Sequence, residues 1–288
     1  MTLTRRLIYG FCTFLLLAGC GEDVDSSSDG TSVDAAYTDA LNIDERSVPA
    51  GAAVTGESLV GTWMATQSDG TETLTFRADG SGTLVEAWEE DGHLTDWSGP
   101  FAWELENNVL SGKISERFTE DGVSCSETGQ DVSTVARVND ALVMDALLRT
   151  TGSDAGYAGT WRALYAEYEV WQCGRELEKG YYVEELTLEL TETTFTLTIA
   201  WEEVEEWRED GETDSDTYRD VESWTGTVTV QDNFLILTPD DPSDLDTPVG
   251  SDGDRIITIR LLSDLVAQMD WSGSLSEDAF EDDMYYRQ

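Results

Sequence analysis

The chain of 288 residues carries 16 Lys+Arg against 60 Asp+Glu, a formal net charge of −44, with one His and four Cys. A surface this negative repels nucleic-acid phosphates and anionic lipid headgroups, and one His excludes multi-His metal sites and nearly all His-based triads. Ten Trp and an aromatic share of 10% supply the mass of a folded core, so the acidity does not mark a wholly disordered chain.

Residues 1–20 read MTLTRRLIYGFCTFLLLAGC. Arg5 and Arg6 precede an apolar run, Leu7 to Leu17, too short to span a bilayer and suited to a signal-peptide core. The run ends in Leu17-Ala18-Gly19-Cys20, where small residues admit a peptidase and the thiol can carry a lipid. This resembles the lipobox of bacterial lipoproteins. The resemblance implies a signal peptide over 1–19, a lipid anchor on Cys20 and the membrane as partner through that anchor. Gly21 stands where an inner-membrane retention signal would have Asp; by the same resemblance the expected location is the outer membrane. One acyl chain holds only marginally, and the family carries three. Residues 20–56, rich in Asp, Ser, Gly and Ala, are expected as a flexible, disordered acidic tether with a root-mean-square span of roughly 35 Å.

Beyond the tether, alternating runs at Glu72–Phe76, Thr83–Trp88, Thr187–Leu190, Phe195–Trp201, Thr225–Val230 and Arg255–Leu261 read as strands. Asp-Gly, Asn-Asn and Asp-Asn pairs between them suit tight hairpins. Landmarks recur in order. Gly61-Thr62-Trp63 answers to Gly159-Thr160-Trp161, Leu74-Thr75-Phe76 to Leu186-Thr187-Leu188, and Ala87-Trp88-Glu89-Glu90 to Ala200-Trp201-Glu202-Glu203. Trp97-Ser98-Gly99 answers to Trp224-Thr225-Gly226, and Asn107-Asn108 to Asp232-Asn233. The pattern predicts a duplicated unit over 57–151 and 157–273, with insertions in the second copy around Tyr165–Tyr181 and Val204–Glu222, then an acidic tail over 274–288. The first copy is expected to use strands near 59–66, 72–77, 82–89, 98–106, 109–117, 132–138 and 141–149.

The fold class is all-β: two tandem antiparallel meanders, each closing into an up-and-down β-barrel that removes its edges. Gly61-x-Trp63, Gly159-x-Trp161 and the hairpin Phe76–Gly82 resemble bacterial lipocalin-like domains. The resemblance implies that Trp63 and Trp161 plug the barrels and that an Arg from each last strand, Arg149 and Arg260, covers them by cation–π stacking. Of the cysteines left after Cys12 and Cys20, Cys125 is placed in a loop and Cys173 in the insertion. Outside the cytoplasm this pair favours a disulfide clamping the two units, worth roughly 4 kcal/mol on the chain-entropy model; two separate thiols are the alternative.

No nucleophile elbow, zinc-protease, Walker or Cys-x-x-Cys motif is present. His93 lies in a polar turn. Asp23-Val24-Asp25, Asp214-Ser215-Asp216, Asp252-Gly253-Asp254 and the Asp-rich stretch 240–254 lack EF-hand spacing, so no metal or other cofactor is expected. The leading function is a non-enzymatic envelope lipoprotein that binds a small apolar ligand or serves a structural role, with Trp88, Trp97, Trp201 and Trp224 as candidate ligand-binding residues. The alternative is an adhesion module holding glycan or protein on exposed aromatics. A hydrolase using the pairs Glu89-Glu90 and Glu202-Glu203 comes third.

Acidic residues are spread along the chain rather than gathered in one tail, a pattern that resembles proteins of salt-loving organisms. Self-repulsion of this density is relieved by screening. The melting temperature should therefore rise from about 0.1 M to molar NaCl; a flat or falling profile would contradict this.

Overall fold

The computed structural model describes residues 54–288 apart from 67–69, 91–92, 121, 153–155, 210–211, 242–255, 271–274, 276–279 and 281–283. The expected signal peptide, Cys20 and the tether through 53 lie outside the described residues. The tether, expected to reach 56, ends sooner: Val54 is buried in the N-terminal core. Thr55 caps the single-turn helix α1 (Gly56–Leu59), its Oγ1 accepting from the Ser58 N–H while Ser58 Oγ accepts from the Thr55 N–H.

The fold is all-β and antiparallel. The N-terminal half runs through β1 (Gly61–Thr66), β2 (Gly70–Phe76), β3 (Ser81–Glu90), β4 (His93–Glu106), β5 (Val109–Glu120) and β6 (Val123–Thr134). Short strands β7 (Ala136–Val138) and β8 (Ala141–Val143) follow. The C-terminal half comprises β9 (Leu147–Gly152), β10 (Gly159–Cys173), β11 (Glu176–Leu190), β12 (Thr194–Glu209), β13 (Glu212–Gln231), β14 (Phe234–Pro239), β15 (Ile257–Leu261) and β16 (Val266–Asp270). A last strand, β17 (Met284–Arg287), ends the chain. The expected hairpin turns form where the residues tolerate positive φ: Asn107 at 49° and Asn108 at 65° join β4 to β5, and Asp232 at 55° joins β13 to β14.

Strands β9 to β16 pair each with the next, and β16 pairs back to β9, giving a closed eight-stranded barrel. Its lumen is filled, with Trp161, Leu188, Leu197, Leu235, Leu237 and Ile259 at 0–1% exposure. In the N-terminal half, β1 to β6 pair in order. Beyond Val135, β7 pairs with β8, β8 with β17, and β17 with β1. The strand assignments differ from expectation in two places. β9, placed by the sequence in the first unit, closes the C-terminal barrel. Met284–Arg287, placed in the tail, form β17 between β1 and β8. Each half is thus completed by the last strand of the other.

That exchange decides which arginine covers which tryptophan. Trp161 lies opposite Arg149 of β9, whose guanidinium sits 5.7 Å from the ring centroid. Trp63 lies opposite Arg287 of β17, at 5.9 Å, with Arg137 at 5.9 Å. Arg149 therefore covers Trp161 rather than Trp63, and Arg260 stacks on neither; its Nη1 lies 3.8 Å from Met284 Sδ. The two lids are built alike. Each indole N–H donates to the carbonyl four residues back, Trp63 to Leu59 (2.7 Å) and Trp161 to Tyr157 (2.9 Å). Arg287 donates to Val60 O, and Arg149 to Ala158 O at the equivalent position. Gly61 and Gly159 both hold φ of 147°, and a Cβ on either would meet the covering arginine at 3.0–3.2 Å. The Gly-x-Trp motif thus leaves room for its lid.

The halves are joined by a ladder in which β6 pairs with β10 from Ser133↔Tyr165 to Cys125↔Cys173, and Cys125 and Cys173 form a disulfide. Both cysteines lie in strands rather than in a loop and an insertion. The expected insertions at 165–181 and 204–222 are strand extensions that carry β10 to β13 beyond the barrel. Removing residues 284–288 should leave β1 and β8 without a neighbour and Trp63 without its lid. We expect a lower melting temperature and red-shifted tryptophan emission; emission and melting temperature equal to wild type would refute the exchange.

Candidate functional site

Strand register allows the halves to be compared position by position. Taking Gly61 as the counterpart of Gly159, the ladders place Phe76 with Leu190, Gly82 with Phe195, Phe101 with Gly226 and Leu110 with Leu235. Two landmark matches from the sequence shift by two residues. Leu74 corresponds to Leu188, and Gly99, not Trp97, corresponds to Trp224. A Cβ on Gly99 would meet the Trp97 ring at 2.4 Å, so Trp97 reaches across that glycine.

The halves then differ systematically inside. Where the C-terminal barrel has Leu186, Ile199, Leu237, Ile257 and Ile259, the N-terminal half has Glu72, Glu86, Gly112, Asp131 and Ser133. Apolar plug residues are replaced by acids, a glycine and a hydroxyl. The result is a cavity of about 70 Å³ in the N-terminal half. Its floor is Leu74, Phe76, Leu84, Phe101, Leu110 and Ile114; Glu72, Asp131, Ser133 and Tyr165 supply its polar side. At 10–15 Å³ per water this is room for several waters or a short aliphatic chain.

The polar side is strongly acidic. Tyr285 donates to Glu72 Oε1 at 2.8 Å, and Tyr165 donates to Glu167 Oε2 at 3.1 Å. Burial pushes the Asp131 carboxyl up to about 8, and the charges of Glu167, Glu72 and Glu169 push it the same way. Glu169 is raised by burial and by a hydrogen bond to Glu127; Glu86 is raised by burial. Ser133 is 4% exposed, and its Oγ makes no hydrogen bond among the described residues.

This acidity continues along the sheet. Directly paired residues share a face. Ser133, Tyr165, Glu184, Trp201 and Asp220 form one row across β6, β10, β11, β12 and β13. The next rows are Asp131, Glu167, Tyr182, Glu203, Tyr218, then Gly129, Glu169, Gly180, Glu205, Asp216, then Glu127, Trp171, Glu178, Trp207, Asp214. Every charged residue in these rows is acidic. Tyr165, Tyr182 and Trp201 make an aromatic ladder with centroid separations of 6.2 and 6.4 Å. Burial raises Glu184, Glu203 and Glu205. The basic side chains of β10 to β13, Arg162, Lys179, Arg208 and Arg219, and Lys113 and Arg117 of the adjoining β5, fall on the opposite face.

The expected ligand-binding tryptophans do not line the cavity. Trp224 is 8% exposed in the filled barrel; Trp201 packs against that core and stacks on Tyr182. Trp97 packs on the N-terminal core, and Trp88 is half-buried. Among the described residues no tryptophan is exposed. Glu202 and Glu203 point to opposite faces. Glu202 pairs with Arg219 at 2.9 Å and accepts from Tyr181, while Glu203 sits beside Glu205. The side chains of Glu89, Glu90 and His93 lie outside the described residues, as do Asp23–Asp25 and Asp252–Asp254. Among the described residues no three His, Cys, Asp or Glu converge as metal ligands. Glu72, Asp131 and Ser133 carry no signal of their own in the sequence: single acids do not stand out in so acidic a chain, nor does one Ser in a polar strand. The signal that finds them is the mismatch between repeats, once register fixes the alignment.

Comparison with family models, with curated proteins and with solved structures gives no match.

Because the folded-state pKa of Asp131 lies above its unfolded value, its protonation stabilises the fold. The contribution is complete below about pH 4 and lost as pH rises to about 8. Asp131→Asn should melt several degrees higher than wild type at pH 8, and the difference should vanish near pH 4. Equal melting temperatures at pH 8 would contradict the burial of this carboxyl.

Proposed function

We propose that the chain is an outer-membrane lipoprotein, held by lipid on Cys20, that carries two lipocalin-like barrels and binds a small apolar molecule without chemistry. The second barrel is the N-terminal half, its ring passing from β6 through the bend at Val135 into β7, then β8, β17 and β1. The Gly-x-Trp lids and the meander order favour the lipocalin-like reading. The carrying observation is the apolar-floored cavity of about 70 Å³ at positions that are filled in the C-terminal barrel. On this reading one barrel is structural and the other receives the ligand. Inward-packed tryptophans favour it over adhesion through exposed aromatics.

Two measurements test the proposal. Fatty-acid labelling should mark the wild-type protein and fail for Cys20→Ala, which should leave the membrane fraction; label retained by the variant would refute the anchor. Calorimetry with 1-butanol should give saturable binding. Gly112 faces the cavity, and a Cβ there would meet nothing within 4 Å. Gly112→Leu should fill the space and abolish the heat, and persistence of binding would refute the cavity as its site.

A further inference from the structure

The ligand cavity has one chemically distinctive wall. Resting on the reading that the N-terminal cavity receives a small apolar molecule, we propose that its ligand is a primary aliphatic amine. The short chain lies on the apolar floor, and the ammonium sits at Asp131 between Glu72 and Glu167.

Four observations carry this. First, the acids are not incidental to an acidic chain. Glu72 and Asp131, with Ser133, stand where the same molecule, at register-equivalent positions, has Leu186, Ile257 and Ile259, each at most 4% exposed. A polar replacement in a barrel core costs free energy unless something satisfies it. Second, Ser133 Oγ is enclosed and without a hydrogen bond among the described residues, yet it lines the cavity. It is an acceptor available to an ammonium hydrogen. Third, the groups facing Asp131 are all acidic or phenolic: Glu72 on β2 with Tyr285 of β17 behind it, and Tyr165, Glu167 and Glu169 on β10. The charges acting on Asp131 are those of Glu167, Glu72 and Glu169, and none is a cation. Fourth, the carboxylates do not converge as metal ligands among the described residues. The arrangement gives no chelating set, so a monovalent cation that meets these acids singly suits it better. An alkylammonium does so, and its methylenes match the floor.

Binding should also move a proton. Burial and its acidic neighbours keep the Asp131 carboxyl protonated near neutral pH, and an arriving ammonium favours the carboxylate. The O–H proton leaves to buffer, and the ammonium keeps all three of its own.

The probes are n-butylamine and 1-butanol, titrated calorimetrically into the whole protein at pH 7. Molar NaCl screens non-specific attraction to the exposed acids. Butylamine should bind about tenfold or more tighter than butanol, the usual gain from a hydrogen bond to a charged group. Its observed enthalpy should vary with the ionisation enthalpy of the buffer, reporting the released proton. Asp131→Asn should bring the two affinities together, the ratio of butylamine to butanol affinity falling about tenfold. If both probes bind equally to the wild-type protein, the amine assignment is overturned and the apolar cavity stands. If amine preference survives in Asp131→Asn, the ammonium does not sit at Asp131 and the assignment is again overturned. If neither probe binds, the cavity reading fails with it. Should Asp131→Asn fold poorly, Ser133→Ala provides the second variant, expected to weaken butylamine more than butanol.

Discussion

The closing strands govern this molecule. An antiparallel meander leaves two unpaired edges unless something pairs them. Here β9 completes the C-terminal barrel, and β17, from the end of the chain, pairs with β1 and β8 of the N-terminal half. The same strands carry Arg149 and Arg287, which cover Trp161 and Trp63. Edge closure and the plugging of each lumen are therefore one event. Arg149 is 5% exposed, and a buried guanidinium is tolerated only when its donors are used. It donates to the carbonyls of Thr151, Gly156, Ala158 and Asp264. Asp264 precedes β16, so the lid also ties that loop to the barrel mouth.

The acidity separates into two populations. Among the described residues many carboxylates are exposed, where salt screens them. Asp131, Glu169 and their neighbours stand on a face shared by the cavity and the β6–β10 ladder, where burial rather than ionic strength sets their state. Alternating aromatics separate some acids along the rows, as at Tyr182 between Glu167 and Glu203. Others meet directly, as Asp131 does Glu167. Such a pair is unfavourable when both are charged. Protonation or a counter-cation relieves it, and the nearby lysines and arginines face the other way.

Much of the architecture was legible because its signals are local. The Gly-x-Trp pairs, the Asn-Asn and Asp-Asn turns and the alternating apolar runs each reflect a backbone requirement. The Cys125–Cys173 bond followed from their being the pair left once Cys12 and Cys20 are assigned to the expected signal peptide and anchor. What was hidden depends on distant partners. β6 reads Val-Ser-Cys-Ser-Glu-Thr-Gly-Gln-Asp over its first nine residues, too polar to announce a strand, and it is held by β5 and β10 rather than by propensity. The exchange of β9 and β17 was equally invisible, since either strand could pair with either tryptophan strand. The assignment of Arg149 to Trp63 failed for that reason, and so did Arg260 as a lid. Glu72 was hidden by a two-residue slip: matching Leu74-Thr75-Phe76 to Leu186–Leu188 conceals that Glu72 replaces Leu186.

The duplication then explains how one half can hold an unfavourable interior. An unfilled cavity of this volume costs about 2 kcal/mol, and buried carboxyls add to it. A single small barrel would carry that burden alone. Here the open half is bound to a filled one through nine ladder pairs, a disulfide and two exchanged strands. Opening the N-terminal lumen requires loosening contacts that the C-terminal core also holds. The glycine at 112 and the acids at 72 and 131 are tolerable because the neighbouring barrel keeps Leu237, Leu186 and Ile257 at the same three positions. The filled half thereby offsets what the open half gives up in packing.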